Sequence, residues 1–197
     1  MTIKFPYSAD QAAIVSHIIN ARVSVLQTNM VGRCVPTEAE LENIFKGALS
    51  VPDHGQMHPA RFIVIKGDKV DAYIKHMYAV KIADNPNFVL SEAEYAKNFA
   101  GVGMFIIAYA AIVEGKVKAY EQEWSVAASV QNMMNLFYAY GYAAKWNSIF
   151  KEKDTEFKKY LGVHKNWVSM GYLMVGKSAD TAKQKSRENF NDHFKIL

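Results

Sequence analysis

The stretch Leu49-Ser50-Val51-Pro52-Asp53-His54-Gly55-Gln56-Met57-His58-Pro59-Ala60-Arg61-Phe62 decides how the rest of this chain is read. It follows an apolar pattern of helical spacing and runs straight into Phe62-Ile63-Val64-Ile65. Two prolines and a glycine keep it out of regular structure. Proline lacks an N–H donor and restricts its predecessor, while glycine reaches backbone angles closed to other residues. Ser50, Asp53, His54, Gln56, His58 and Arg61 crowd hydrogen-bonding groups into this loop. A polar loop on a helix-to-strand frame is a usual seat of binding chemistry, although a plain surface loop can share that composition.

Working outward, Ser8-Ala-Asp-Gln11 and Thr37-Glu-Ala-Glu40 have the form of capping boxes. The first predicts a helix with Ala12, Val15, Ile18 and Ile19 on one face; the second predicts one with Leu41, Ile44, Phe45 and Ala48 inward. After the loop come a strand over Phe62 to Lys66, a turn at Gly67-Asp68, and a helix facing Val70, Tyr73, Ile74 and Met77 inward. Residues 83–90 read as irregular and lead to a third box, Ser91-Glu-Ala-Glu94. The apolar run Gly101 to Val113 reads as a buried strand, too short to span a bilayer. A long helix from about Ala119 to Tyr140 is expected to face Trp124, Ala127, Val130, Met134 and Phe137 inward, with Gly141 as its C-terminal cap. A short helix (Thr155 to Leu161) and a strand (Trp167 to Val175) end the pattern. Helices outnumber strands without regular alternation, so the expected class is α+β.

The chain has 197 residues, half of them hydrophobic, and a net charge of +4. That bounds it to one folded domain, residues 1–197. Lysines are interspersed with acids, so no nucleic-acid stripe is indicated. Cys34 is the only cysteine, which excludes an intrachain disulfide and suits a reducing cytoplasm. No signal-peptide core appears at the start, and no membrane partner is expected. There is no Gly-x-Gly-x-x-Gly, so a Rossmann cofactor site is not supported. No Gly-x-Ser-x-Gly marks a serine nucleophile.

The opening loop resembles the Ala-Pro-Asp-His-x-x-Met-x-Pro-Trp-Arg-Phe segment of the compact branch of the flavin-dependent nitroreductase family. Two further matches follow the family's order. Arg22-Val23-Ser24 is similar to its Arg-x-Ser phosphate motif. Gly141 with Trp146-Asn147-Ser148 is similar to its Gly-x4-Trp-x-Ser. The resemblance implies a mostly antiparallel central sheet flanked by helices, with a long central helix. It also implies a homodimer whose C-terminal tail, residues 178–197, extends over the partner. A tail tucked back on its own domain is the other reading.

By this resemblance the cofactor is FMN and the electron donor NADH or NADPH, anions that a mildly basic protein suits. Arg22, Val23 and Ser24 would meet the phosphate, because a guanidinium forms paired charge-assisted bonds and a hydroxyl adds another. Arg187 in the tail resembles a second phosphate ligand. Ser50, His54 and Gln56 stand where the family's loop contacts flavin. Trp146, Asn147 and Ser148 would lie near its N5 edge. Leu136, Phe137, Tyr138, Ala139, Tyr140 and Gly141 stand where relatives place a nicotinamide contact. The expected reaction is ping-pong hydride transfer through flavin N5 to a nitroaromatic, quinone or similar small acceptor.

Each assignment has a plainer competitor. Arg22 could satisfy a helix dipole, and Trp146 could be a core aromatic whose indole finds a partner. The chain also departs from the family: Val23 and Leu26 replace polar or basic residues, and Ala60 replaces the tryptophan after the loop proline. Arg61 and Lys145 are candidates for the group that supports charge near flavin N1. Two other classes stay open. One is a dimeric binding protein that has lost flavin. The other is a metal-binding hydrolase using His54 and His58, spaced i, i+4, with Asp53 and Asp84 as possible carboxylates. Pro52, Gly55 and Pro59 oppose the helix that spacing needs.

Overall fold

The computed structural model describes residues 8–115, 117–149, 153–179, 188–189 and 193–195. Its elements run α1 (Ala9–Ala21), β1 (Met30–Val31), α2 (Glu38–Leu49), β2 (Ala60–Lys66), α3 (Lys69–Asp84), α4 (Glu92–Lys97), β3 (Met104–Ala110), α5 (Ala119–Ala139), β4 (Ala143–Asn147), α6 (Asp154–Leu161) and β5 (Val168–Ser178). All three capping boxes form. In each, the hydroxyl of Ser8, Thr37 or Ser91 accepts from the backbone three residues on, and Gln11, Glu40 or Glu94 reaches back.

The strands build an antiparallel sheet in the order β1-β5-β3-β2, with β4 beside β5. β3 is the central strand, and every one of its residues is buried. Its alternating side chains divide the core. Phe105, Ile107 and Tyr109 join Val70, Tyr73, Ile74 and Met77 of α3 and Phe157 of α6 on one face. Met104, Ile106, Ala108 and Ala110 join Ile44 of α2 and Val126, Val130, Met133 and Phe137 of α5 on the other. Helices thus cover both faces of a strand that reads as one unbroken apolar run, the pattern expected of a fully buried strand.

Several boundaries differ from the sequence reading. β2 begins at Ala60, β3 stops at Ala110, and β5 runs on to Ser178. Strands β1 and β4 were not expected at all; both exist by pairing with β5. Trp124 does not face inward. It is 66% exposed, while Val130, Met134 and Phe137 are buried as expected and Gln122, Ser125, Val126, Ser129 and Met133 are buried beside them. Apolar residues on more than one face of α5 made its core side ambiguous. α1 buries none of its residues, its expected inward face included. Gly141, at φ +77°, closes α5 as expected. Tyr142 N–H bonds Phe137 O and Gly141 N–H bonds Tyr138 O, a Schellman arrangement. Arg187 and the tail residues Phe190, Ile196 and Leu197 lie outside the described residues.

Candidate active site

The loop between α2 and β2 is held by its own polar groups. Asp53 accepts from the backbone N–H of Met57 at 3.2 Å and of His58 at 2.8 Å. Gln56 N–H bonds Asp53 O at 3.1 Å. The clamp holds Gln56 at φ 52° and His58 at φ 48°, beside Gly55 at φ 70°. Positive φ is uncommon for residues with a Cβ and persists only where surrounding bonds impose it. Arg61 folds back to give Nη1–H bonds to His58 O and Ala60 O, at 2.7 and 2.8 Å. Ser50 caps α2 by donating its hydroxyl to Lys46 O, while Asn132 of α5 donates to Gly47 O and Ser50 O.

The two loop histidines diverge. His54 Nδ1 lies 2.7 Å from Glu121 Oε2 on α5, whereas His58 Nδ1 lies 3.4 Å from Asp53 Oδ2. Among the described residues, no group of three or more His, Cys, Asp or Glu is placed to hold a metal ion. The i, i+4 spacing of the pair therefore does not put both rings on one site.

Trp146, Asn147 and Ser148 close the other end of the framework, at the end of β4. Trp146 packs against the α5 side of the core and donates Nε1–H to Met170 O at 2.8 Å. Asn147 stands opposite Tyr172 in the ladder and donates Nδ2–H to its hydroxyl at 3.3 Å. Burial raises the Tyr172 pKa above its ordinary value, with the Asn147 bond opposing, so that hydroxyl keeps its proton. Ser148 is exposed. Between Ile107 and Tyr109 the pairing of β3 with β5 slips, leaving a bulge that includes Gly171. At φ +92°, a Cβ on Gly171 would sit 2.3 Å from Asn147 O and 2.8 Å from Trp146 Nε1. Only glycine lets β4 end this close to β5, and bulges of this kind re-aim nearby groups.

Arg22-Val23-Ser24 joins the end of α1 to Val25. Val25 N–H bonds Ala144 O at 3.2 Å, and the chain then runs to Met30, paired with Ser178 beyond the start of β4. Arg22, half-buried, is the C-cap of α1, and Ser24 is exposed. Lys145, on β4, reaches Gln27 Oε1 at 3.5 Å.

Two clefts result, one on each side of the first half of α5. One, of about 370 Å³, is lined by Trp146, Asn147, Ser148, Met170, Gly171 and Glu123. The other, of about 700 Å³, is lined by Gln56, His58, Ala60, Arg61, Ser125 and Ser129. They share no lining residue. Within one chain Gln56 lines the larger cleft and Trp146, Asn147 and Ser148 the smaller, while Arg22, Ser24, Ser50 and His54 line neither. The segment 136–141 lies at the far end of α5, a helix about 30 Å long by its rise per residue. Phe137 within it is fully buried and presents nothing to a ligand; Ala139, Tyr140 and Gly141 are exposed.

Residues 34–177 match the protein family described as the nitroreductase family. The chain belongs to that family. It is 25% identical over 157 residues to a Haemophilus influenzae protein named "Putative NAD(P)H nitroreductase", covering 77% of this chain and 83% of that one. The solved structure of a nitroreductase-like family protein from Bacillus cereus superposes with a TM-score of 0.76 at 17% identity, covering 99% of both chains. The FMN-dependent nitroreductase NfnB from Mycobacterium smegmatis, solved with NADPH, gives a TM-score of 0.73 at 13% identity over 95% of this chain and 100% of that one. The α+β framework, with its antiparallel sheet between helix layers, is the nitroreductase fold.

Glu121, Glu123, Gly171 and Tyr172 were not found from the sequence. Glu121 joins His54 across 67 residues and Tyr172 joins Asn147 across 25, so no local pattern signals either.

Proposed function

We propose that this chain is an FMN-dependent NAD(P)H oxidoreductase that works as a cytoplasmic homodimer on quinones, nitroaromatics or similar small acceptors. The observation that carries the reading is the nitroreductase-family match over residues 34–177, in a chain whose Gln56 cleft and Trp146–Ser148 cleft share no lining residue. A second copy that lays its His54 loop over the first chain's Trp146–Ser148 end would complete the site. The exposed apolar residues Ile14, Val15 and Ile19 of α1 supply a surface for that contact.

The residues present fit a flavin. Arg22 and Ser24 have the donor chemistry for a phosphate. The cleft beside Trp146, Asn147 and Gly171, about 370 Å³, gives the ring a place to lie. Bound there, FMN supplies two-electron transfer between a nicotinamide and an acceptor. The protein's part is to orient both in turn and to exclude water. Trp146, fixed through Met170 O, walls one side, and the Tyr172–Asn147 bond holds the strand end in register. One slot serving donor and acceptor in succession gives ping-pong kinetics.

Absorbance of the purified protein tests the reading. A flavin spectrum is expected, with FMN released on denaturation and sedimentation as a dimer. Colourless protein that takes up no added FMN overturns it.

A further inference from the structure

We propose that Glu121 is a positioning residue that sets the His54 ring so that Nε2 delivers a proton to the acceptor; this rests on the shared-site reading above. The pair is short, 2.7 Å between Nδ1 and Oε2, and it joins the loop to the first turn of α5. Glu121 is itself well fixed. Its side chain is 28% exposed, and its charge complements the positive end of a 21-residue helix whose N-cap residue, Lys118, makes no side-chain cap. His54 is 70% exposed, so the ring edge away from Glu121 is open.

A carboxylate at Nδ1 keeps that nitrogen protonated and turns Nε2 outward, the arrangement by which enzymes fix an imidazole's tautomer. Nε2 is then the ring position that exchanges protons. Reducing a quinone by two electrons adds one hydride, which comes from NAD(P)H through the bound flavin, and one proton. In that step the Nε2–H bond of the His54 imidazolium breaks and an O–H bond forms on the quinone oxygen. The ring is left neutral with its Nδ1–H still on Glu121, and solvent returns the proton to Nε2. The strained loop serves this geometry, since Asp53 holds the turn that follows His54.

The test has two arms. In the first, the imidazole nitrogens of 15N-labelled protein, as purified, are observed in alkaline solution, with His54→Gln identifying the His54 signals. Unsubstituted protein should carry the proton on Nδ1, and Glu121→Ala should move it to Nε2, the form a free histidine ring favours. In the second, turnover with menadione, which needs a proton, is divided by turnover with ferricyanide, which takes an electron alone. The ratio should fall about tenfold or more in Glu121→Ala, at the lower end of what general acids contribute. Glu121→Gln keeps an acceptor for Nδ1–H and should recover part of it. A ratio unchanged while both rates fall makes Glu121 a structural prop and overturns the proposal, as does an Nε2-protonated ring in unsubstituted protein. A flavin-free protein inert with both acceptors sinks the proposed function and the proton transfer with it; the nitrogen shifts still show whether Glu121 sets the ring.

Discussion

Helix α1 begins with a complete capping box at Ser8 and Gln11, yet none of its 13 residues is buried. Helix α3 begins at Asp68 with no side-chain cap and buries Val70, Tyr73, Ile74 and Met77. The two show that starting a helix and holding it are separate matters. A cap contributes about 1 kcal/mol, whereas each fully buried aliphatic or aromatic side chain contributes roughly 1.5–3 kcal/mol. By that measure α3 is anchored within its own chain and α1 is not. Ile14, Val15 and Ile19 are 61%, 55% and 52% exposed, with Leu26 beyond the helix at 52%. Neighbouring apolar side chains left this open usually mark a contact surface. Because Arg22 caps the end of α1, a partner seated on the helix would steady the proposed phosphate site as well.

The largest effect is expected in α3. Ile74→Ala should lower unfolding free energy by about 2–5 kcal/mol, through lost transfer energy and the cavity left in the core. In a chain of this size each kcal/mol lowers Tm by roughly 2–4 °C. Thermal and urea unfolding read it directly. A loss under about 1 kcal/mol would mean that α3 is not held by burial, and the contrast with α1 would fail.

Ile14→Asp in α1 should leave the chain folded and act on association instead. We expect the dimer dissociation constant to rise by about one to two decades, or roughly 1.4–2.8 kcal/mol. Sedimentation over a range of concentrations measures it, with flavin retention followed in parallel, since partner and ligand stabilise one assembly. Unfolding comparable to Ile74→Ala, with association intact, would place the α1 face inside its own chain.

The same division governs what could be read before the structure. The capping boxes, the inward face of α3, the β3 run and the Gly141 stop all lie in local patterns, and all appear in the structure. β4 does not: Ala143-Ala144-Lys145-Trp146-Asn147 becomes a strand only because β5 lies beside it. In the site, the His54 loop was legible because its prolines, glycine and polar groups are contiguous. The Glu121 contact, the Gly171 bulge and the Tyr172–Asn147 bond depend on residues that meet only after folding. Trp124 shows the converse error. It fits the helical period of Val130, Met134 and Phe137, which are buried, but it sits on the edge of that face and is exposed.

The smallest effect concerns pH, and it too arises from α3's packing. His76 stacks on Tyr160 at 4.0 Å between ring centroids and 11° between planes, and meets Phe157 edge-on at 5.3 Å. Its Nε2 is buried with no hydrogen-bond partner. Burial lowers its pKa, outweighing the opposing pull of Glu156. Native protein therefore holds this ring neutral at pH values where the unfolded chain, with a histidine near 6.5, already binds a proton. Wherever the unfolded state binds more protons, stability rises with pH. His76 should thus make the protein progressively less stable as pH falls through about 6.5 and below, down to the depressed native value. His76→Phe keeps an aromatic ring for the stack and removes the proton site. Urea unfolding at steps from about pH 7.5 to 5.5 should show a shallower loss for His76→Phe than for the unsubstituted protein. Equal slopes would mean that solvent reaches the ring and that α3's packing does not exclude the charge.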